Sequence, residues 1–198
     1  TYLKGSRLAM WMTSFVVFPA IIFSESFVRL YAGETFLNAS YIIVALLAIV
    51  PFQMLNAMLP QISAAIDRQK GLAIRMLVIQ LINFTLMYYI LVILNLTVIE
   101  MAMSIAVVNI LGELFIITTF AINNLNISFL DTLTKGLIPG LLPGIIASLY
   151  WFVISLSFEV LSYIELVLLV LPGIFILTVC IYFCSLKEDK QKMMSIVD

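Results

Sequence analysis

Charged residues divide this chain into six long apolar intervals. These run from Arg7 to Glu25, Glu34 to Asp67, Arg75 to Glu100, Glu100 to Asp131, Lys135 to Glu159 and Glu165 to Lys187. Only the fourth is interrupted, by Glu113. An α-helix rises about 1.5 Å per residue, so about 20 residues cross a hydrocarbon core. Each interval holds one such helix and none holds two. The pattern predicts helices at roughly 8–24, 39–65, 74–94, 99–121, 136–157 and 164–184. Barrel strands would be about 10 residues long with alternating polarity, which these runs lack. The expected fold is an all-α integral membrane protein with six transmembrane helices over residues 1–184. Residues 185–198, mixed in charge, read as a solvated cytoplasmic tail.

Composition agrees with the pattern. Hydrophobic residues make up 64 % of the 198 and charged residues 11 %, and mean hydropathy is +1.18. A soluble domain carries about one-quarter charged residues, and so few charges cannot cover a soluble surface. The net charge of −1 and the lack of a basic, aromatic-interleaved cluster argue against nucleic acid. Histidine is absent, so the commonest catalytic base and zinc ligand is missing. Cys180 and Cys184 share a helical face by spacing and read as small apolar residues. No cofactor is implied. The start, TYLKGSRL, has neither an initiator Met nor a signal-peptide pattern, and the expectation is a piece of a longer protein.

Orientation follows from lysine and arginine in the short loops. With a cytoplasmic start, nine of the ten basic residues fall inside and only Arg29 falls outside. Glu25, Glu34, Glu100, Glu159 and Glu165 then lie outside. Both ends of the chain are expected to be cytoplasmic. The inner loop Asn123 to Lys135 is mildly amphipathic and suits the membrane surface. Four Asn-x-Ser/Thr triplets, at Asn38, Asn83, Asn95 and Asn126, read as chance.

All six prolines lie in the apolar intervals, and Pro139-Gly140 and Pro143-Gly144 open the fifth. Such residues bend or break helices, and in lipid the freed carbonyls need shelter. Ordinary membrane helices carry some prolines. Six together favour several proline-kinked helices and a protein that changes shape. Polar residues also pair by helical spacing: Gln53 with Asn56, Gln80 with Asn83, Asn109 with Glu113. Lipid penalises such faces, so all should point inward. They serve either interhelical hydrogen bonds or a polar wall along a substrate path.

Glu113 is the deepest charge in the sequence. A lone carboxylate among apolar groups finds a partner or takes up a proton. Asn109, one turn away, is expected to donate to it, and partial or full protonation near neutral pH follows. Three roles stay open: a site linked to a proton or sodium ion, a protonated structural carboxyl, or the partner of a cation elsewhere in the protein. Arg29 either snorkels from a helix end or meets lipid head groups.

The stretch FPAIIFSESFVRLYAGETF holds Glu25, Arg29 and Leu30, then Gly33-Glu34-Thr35-Phe36. A long helix follows and closes on Ala65-Ile66-Asp67-Arg68-Gln69-Lys70. This order of loops, spans and charges resembles the bacterial polysaccharide exporters of the MOP superfamily, the lipid-linked oligosaccharide flippases. About 120 residues carry the likeness, and the last two spans follow it only in spacing. Asp67 stands where family members often carry Gly. Val98 to Val108 lacks the glycines common at that place in the family.

The resemblance implies a two-lobed transporter in which this chain forms most of the later lobe, with an N-terminal lobe in the same polypeptide. It implies a bacterial inner membrane protein exporting polyprenyl-pyrophosphate-linked oligosaccharide for O-antigen or capsule biosynthesis. Gln53, Asn56, Gln80, Asn83, Asn109 and Glu113 are the expected cavity residues, with a coupling proton or sodium ion. Within the superfamily the rival is a drug or organic-cation exporter, which a lone deep acid would suit. A non-transporting membrane scaffold is the rival of another class. A membrane enzyme is disfavoured, since no paired catalytic carboxylates appear.

Overall fold

The computed structural model describes residues 2–158 and 160–197, with side chains followed as far as Ser185. The expected tail at 185–198 therefore falls almost wholly beyond the described side chains, and Glu159 lies outside the described residues. Among the described residues, six helices are long and apolar enough to cross a membrane: Tyr2–Ile22, Ala39–Ala65, Gln69–Ile93, Val98–Leu125, Phe129–Ser157 and Tyr163–Ser185. They are numbered here as the first to sixth spans.

The connections follow local chemistry. The first span passes through Phe23 into a short helix, Ser24–Ala32, which ends at Gly33 with φ 87°. Asp67, Asn95 and Asn126 also have left-handed backbones, with φ of 53°, 51° and 52°. Glycine takes that conformation freely, and Asp and Asn are the side chains that tolerate it best. Asp67 thus suits a turn where glycine would be the default residue. Thr97 and Glu100 form a reciprocal capping box that starts the fourth span. Ser128 starts the fifth by accepting the Asp131 amide N–H at 3.0 Å.

The spans pack as a row. The first lies between the second and the fifth; the sixth covers the fifth; the fourth packs on the second; the third packs on the fourth. Small residues allow close approach. Ala45 and Ile49 of the second span meet Ala102 and Ala106 of the fourth in a thin, buried seam. A Cβ added at Gly173 would come within 2.1 Å of Trp151 Nε1. That indole is fully buried and donates to the Val170 carbonyl at 3.1 Å, joining fifth to sixth span. Trp11 Nε1 likewise donates to the Pro139 carbonyl at 3.0 Å, joining first to fifth.

Pro19, Pro51, Pro143 and Pro172 each lie inside a helix that continues past them. The interruptions fall elsewhere. The second span breaks into a turn between Leu55 and Leu59, with Pro51 and Pro60 on either side. Wider π turns occupy Tyr89–Ile93, Gly112–Ile117 and Thr132–Leu137. Large apolar side chains such as Leu77, Phe84, Leu149, Leu168 and Phe175 stand more than half exposed along the spans. A water-soluble protein does not expose so much contiguous apolar surface, whereas lipid solvates it.

Candidate functional site

Two polar regions lie within the spans, one turn apart. The first is a groove of about 640 Å³ between the second, third and fourth spans. Gln53 comes from the second span, Gln80 and Asn83 from the third, and Asn109 from the fourth. Leu46, Ile49, Leu77, Phe84 and Ile105 supply much of the apolar remainder. Helical spacing explains part of this grouping: Gln80 and Asn83 are three apart and share a face. Gln53 and Gln80 are exposed, Asn109 is half-buried, and Asn83 is 8 % exposed. Asn109 Nδ2 donates to the Ile105 carbonyl of its own helix at 2.8 Å. Among the described residues, Asn83 Oδ1 has no hydrogen-bond donor although it is buried.

The second region is a compact knot joining the first, second and fourth spans. Asn56 sits at its centre, 5 % exposed, in the turn that interrupts the second span. Its Nδ2 donates to Glu113 Oε2 at 2.8 Å and to the Glu113 backbone carbonyl at 3.1 Å. Tyr2 of the first span donates its hydroxyl to Asn56 Oδ1 at 2.8 Å. Thr118 Oγ1 donates to the Glu113 carbonyl at 2.8 Å. A backbone carbonyl can only accept, so the amide orientation of Asn56 is fixed by its partners.

The π turn is part of this knot. The Glu113 carbonyl accepts the Thr118 backbone N–H, five residues on, besides the Thr118 hydroxyl and the Asn56 amide. A π turn is rare and weak alone. Here two side chains bind the carbonyl it re-aims. Gly112 opens the turn, and a Cβ there would come within 2.7 Å of Ile79 Cδ1, so third and fourth spans meet closely at that level.

Sequence spacing placed Gln53 with Asn56 and Asn109 with Glu113, each pair on one face. The break after Leu55 parts the first pair: Gln53 lines the groove and Asn56 is buried in the knot. Glu113 accepts from Asn56, across to another span, while Asn109 bonds its own backbone. Asn56 and Glu113 do not line the groove; they lie one turn nearer the basic end. No sequence pattern singles out Tyr2 or Thr118. A tyrosine near a span end and a threonine five residues after an acid are weak signals in an apolar sequence.

Arg29 is held differently. It donates to Glu25 Oε1 at 3.2 Å along the short helix Ser24–Ala32. Beside it Phe27 and Tyr31 stack with centroids 5.9 Å apart. At the opposite, basic end, Arg68 donates to Asn124 at 3.0 Å, and Arg75 lies over the Phe120 ring at 5.3 Å. Among the described residues no three His, Cys, Asp or Glu side chains converge as metal ligands would.

These features define an all-α, multi-pass membrane protein with six long apolar helices and a polar groove among three of them. No family model, curated protein or solved structure matches the chain.

Proposed function

We propose that this chain belongs to a transporter that moves polyprenyl-pyrophosphate-linked oligosaccharide across a bacterial inner membrane for surface polysaccharide synthesis. The observation that carries the reading is the groove, where four primary amides from three spans converge within an apolar bundle. Membrane helices rarely place polar side chains together unless they bond one another or face a polar guest. Here no hydrogen bond joins the four to one another among the described residues. The order of charges and loops from Glu25 to Lys70 supports the same reading through its resemblance to the flippases.

The mechanism needs no covalent step. The glycan is large and hydrated, and the prenyl tail is soluble in lipid. A groove open at the side lets the sugar exchange water for amides while the tail stays in the bilayer. The opposing wall is supplied by a second lobe. Glycine and proline in the fifth and sixth spans, and the π turns, are where such a protein changes shape. Glu113 acts one turn away from the groove, as a proton- or sodium-linked switch on the knot.

The second reading, a drug or organic-cation exporter, draws on Glu113. Its carboxylate is engaged by Asn56 and does not line the groove, which favours the neutral, hydroxyl-rich guest. The test is complementation. The gene is expressed in cells lacking their own oligosaccharide flippase but making the matching glycan, and surface glycan is measured. Restoration is expected. Failure at good expression, with gained resistance to lipophilic cations, would move the assignment to the exporter.

A further inference from the structure

From the chemistry of the groove we infer that it is a subsite for uncharged sugar units, with the Asn83 amide turning toward the guest so that its Oδ1 accepts a hydrogen bond from a sugar hydroxyl. The inference rests on the transport reading and narrows it from oligosaccharide in general to a neutral segment.

Three observations meet here. Asn83 is 8 % exposed, yet its Oδ1 has no donor among the described residues. A buried acceptor without a donor is costly, so native proteins seldom keep one without a use for it. Gln53 and Gln80 are exposed in the same groove, and each amide offers donors and an acceptor together. A sugar hydroxyl likewise donates and accepts, so amides and hydroxyls pair without excess charge. Among the residues that line the groove none is Lys, Arg, Asp or Glu. An acidic sugar would call for Arg or Lys, and a cationic drug for a carboxylate.

Size and wall composition agree. Small-molecule pockets run to about 300–1,000 Å³ with mostly apolar walls and few polar groups. This groove holds about 640 Å³, and Phe84 is 65 % exposed beside Asn83 in sequence. An exposed ring of that kind packs against the C–H face of a pyranose while the amides take its rim hydroxyls.

The test uses the whole protein in lipid nanodiscs and three probes: maltotriose, trigalacturonate and tetraethylammonium. Binding is measured by titration calorimetry for wild type, Asn83→Leu and Gln80→Leu. Maltotriose should bind at least tenfold more tightly than either charged probe. Each substitution should weaken it about five- to tenfold, the loss of one hydrogen bond in a desolvated site. Gln80 is exposed, so its variant folds even if Asn83→Leu does not. Equal or tighter binding of a charged probe, no binding of maltotriose, or no loss in the folded variants would overturn the assignment. Complementation separates the two levels. Surface glycan restored by wild type with charge-blind binding removes the subsite and keeps transport. Selective maltotriose binding without restoration removes transport and keeps a sugar site.

Discussion

Asn56 and Asn83 are the same residue type, both nearly buried, on neighbouring spans, and their circumstances are opposite. Asn56 uses its amide and its carbonyl oxygen within the protein, through Glu113 and Tyr2. Asn83 Oδ1 has no donor among the described residues. Polar groups in lipid are satisfied internally or serve a guest. The knot around Asn56 illustrates the first case. On the proposed reading, the groove around Asn83 is the second. The same residue class would then carry structure at one level of the bundle and recognition one turn above it.

The contrast breaks most visibly if the knot is opened. Asn56→Leu leaves Tyr2 and Glu113 without their partner, one of them a half-buried carboxyl. We expect a loss of about 2 kcal/mol, read from unfolding in mixed micelles. That exceeds the ~0.6 kcal/mol typical of membrane hydrogen bonds because two partners are stranded at once. A loss below about 0.5 kcal/mol would show that water or lipid already reaches the knot.

Asn83→Leu should move stability the other way. It removes an unpaired acceptor and replaces it with apolar bulk of similar size. A gain of about 1 kcal/mol is expected in the same unfolding assay, together with a fall in surface glycan. A loss of stability would mean that Asn83 has a structural role after all, and would erase the contrast with Asn56.

Thr118→Val should weaken the knot by about 0.5–1 kcal/mol, since the Glu113 carbonyl keeps two of its three donors. Thr118→Ser, which retains the hydroxyl, should restore stability. If serine fails to restore it, the methyl group packs more than the hydroxyl bonds.

The architecture was more legible than the chemistry. Long uncharged intervals bounded by Arg7, Asp67, Arg75, Glu100 and Lys135 are read easily, because lipid demands unbroken apolar helices. Individual polar residues also stand out against that background. Their partners do not. Asn109 is by spacing the natural donor to Glu113 at one turn's distance, but a half-buried asparagine can satisfy itself on the Ile105 carbonyl of its own helix. Asn56 looked like a helical neighbour of Gln53, and the break after Leu55 turned it elsewhere. Both expectations assume an uninterrupted α-helix. Interruptions at Asn56 and at Gly112–Ile117 are set by contacts between distant segments, and no local pattern records them.

The smallest expected change is the one that best isolates the groove. Gln53 and Gln80 are exposed on its walls, so Gln53→Leu and Gln80→Leu should leave stability within about 0.5 kcal/mol. If the amides served interhelical bonding, these variants would loosen the bundle and transport would fail through misfolding. If they serve a guest, surface glycan should fall while the unfolding transition stays in place. The double variant should then lose more transport than either single one, again at unchanged stability. A drop in stability matching the drop in glycan would return both residues to the structural role that Asn56 already illustrates. An unchanged glycan level at unchanged stability would leave the groove as a lipid-facing recess, and transport would have to be sought elsewhere in the bundle.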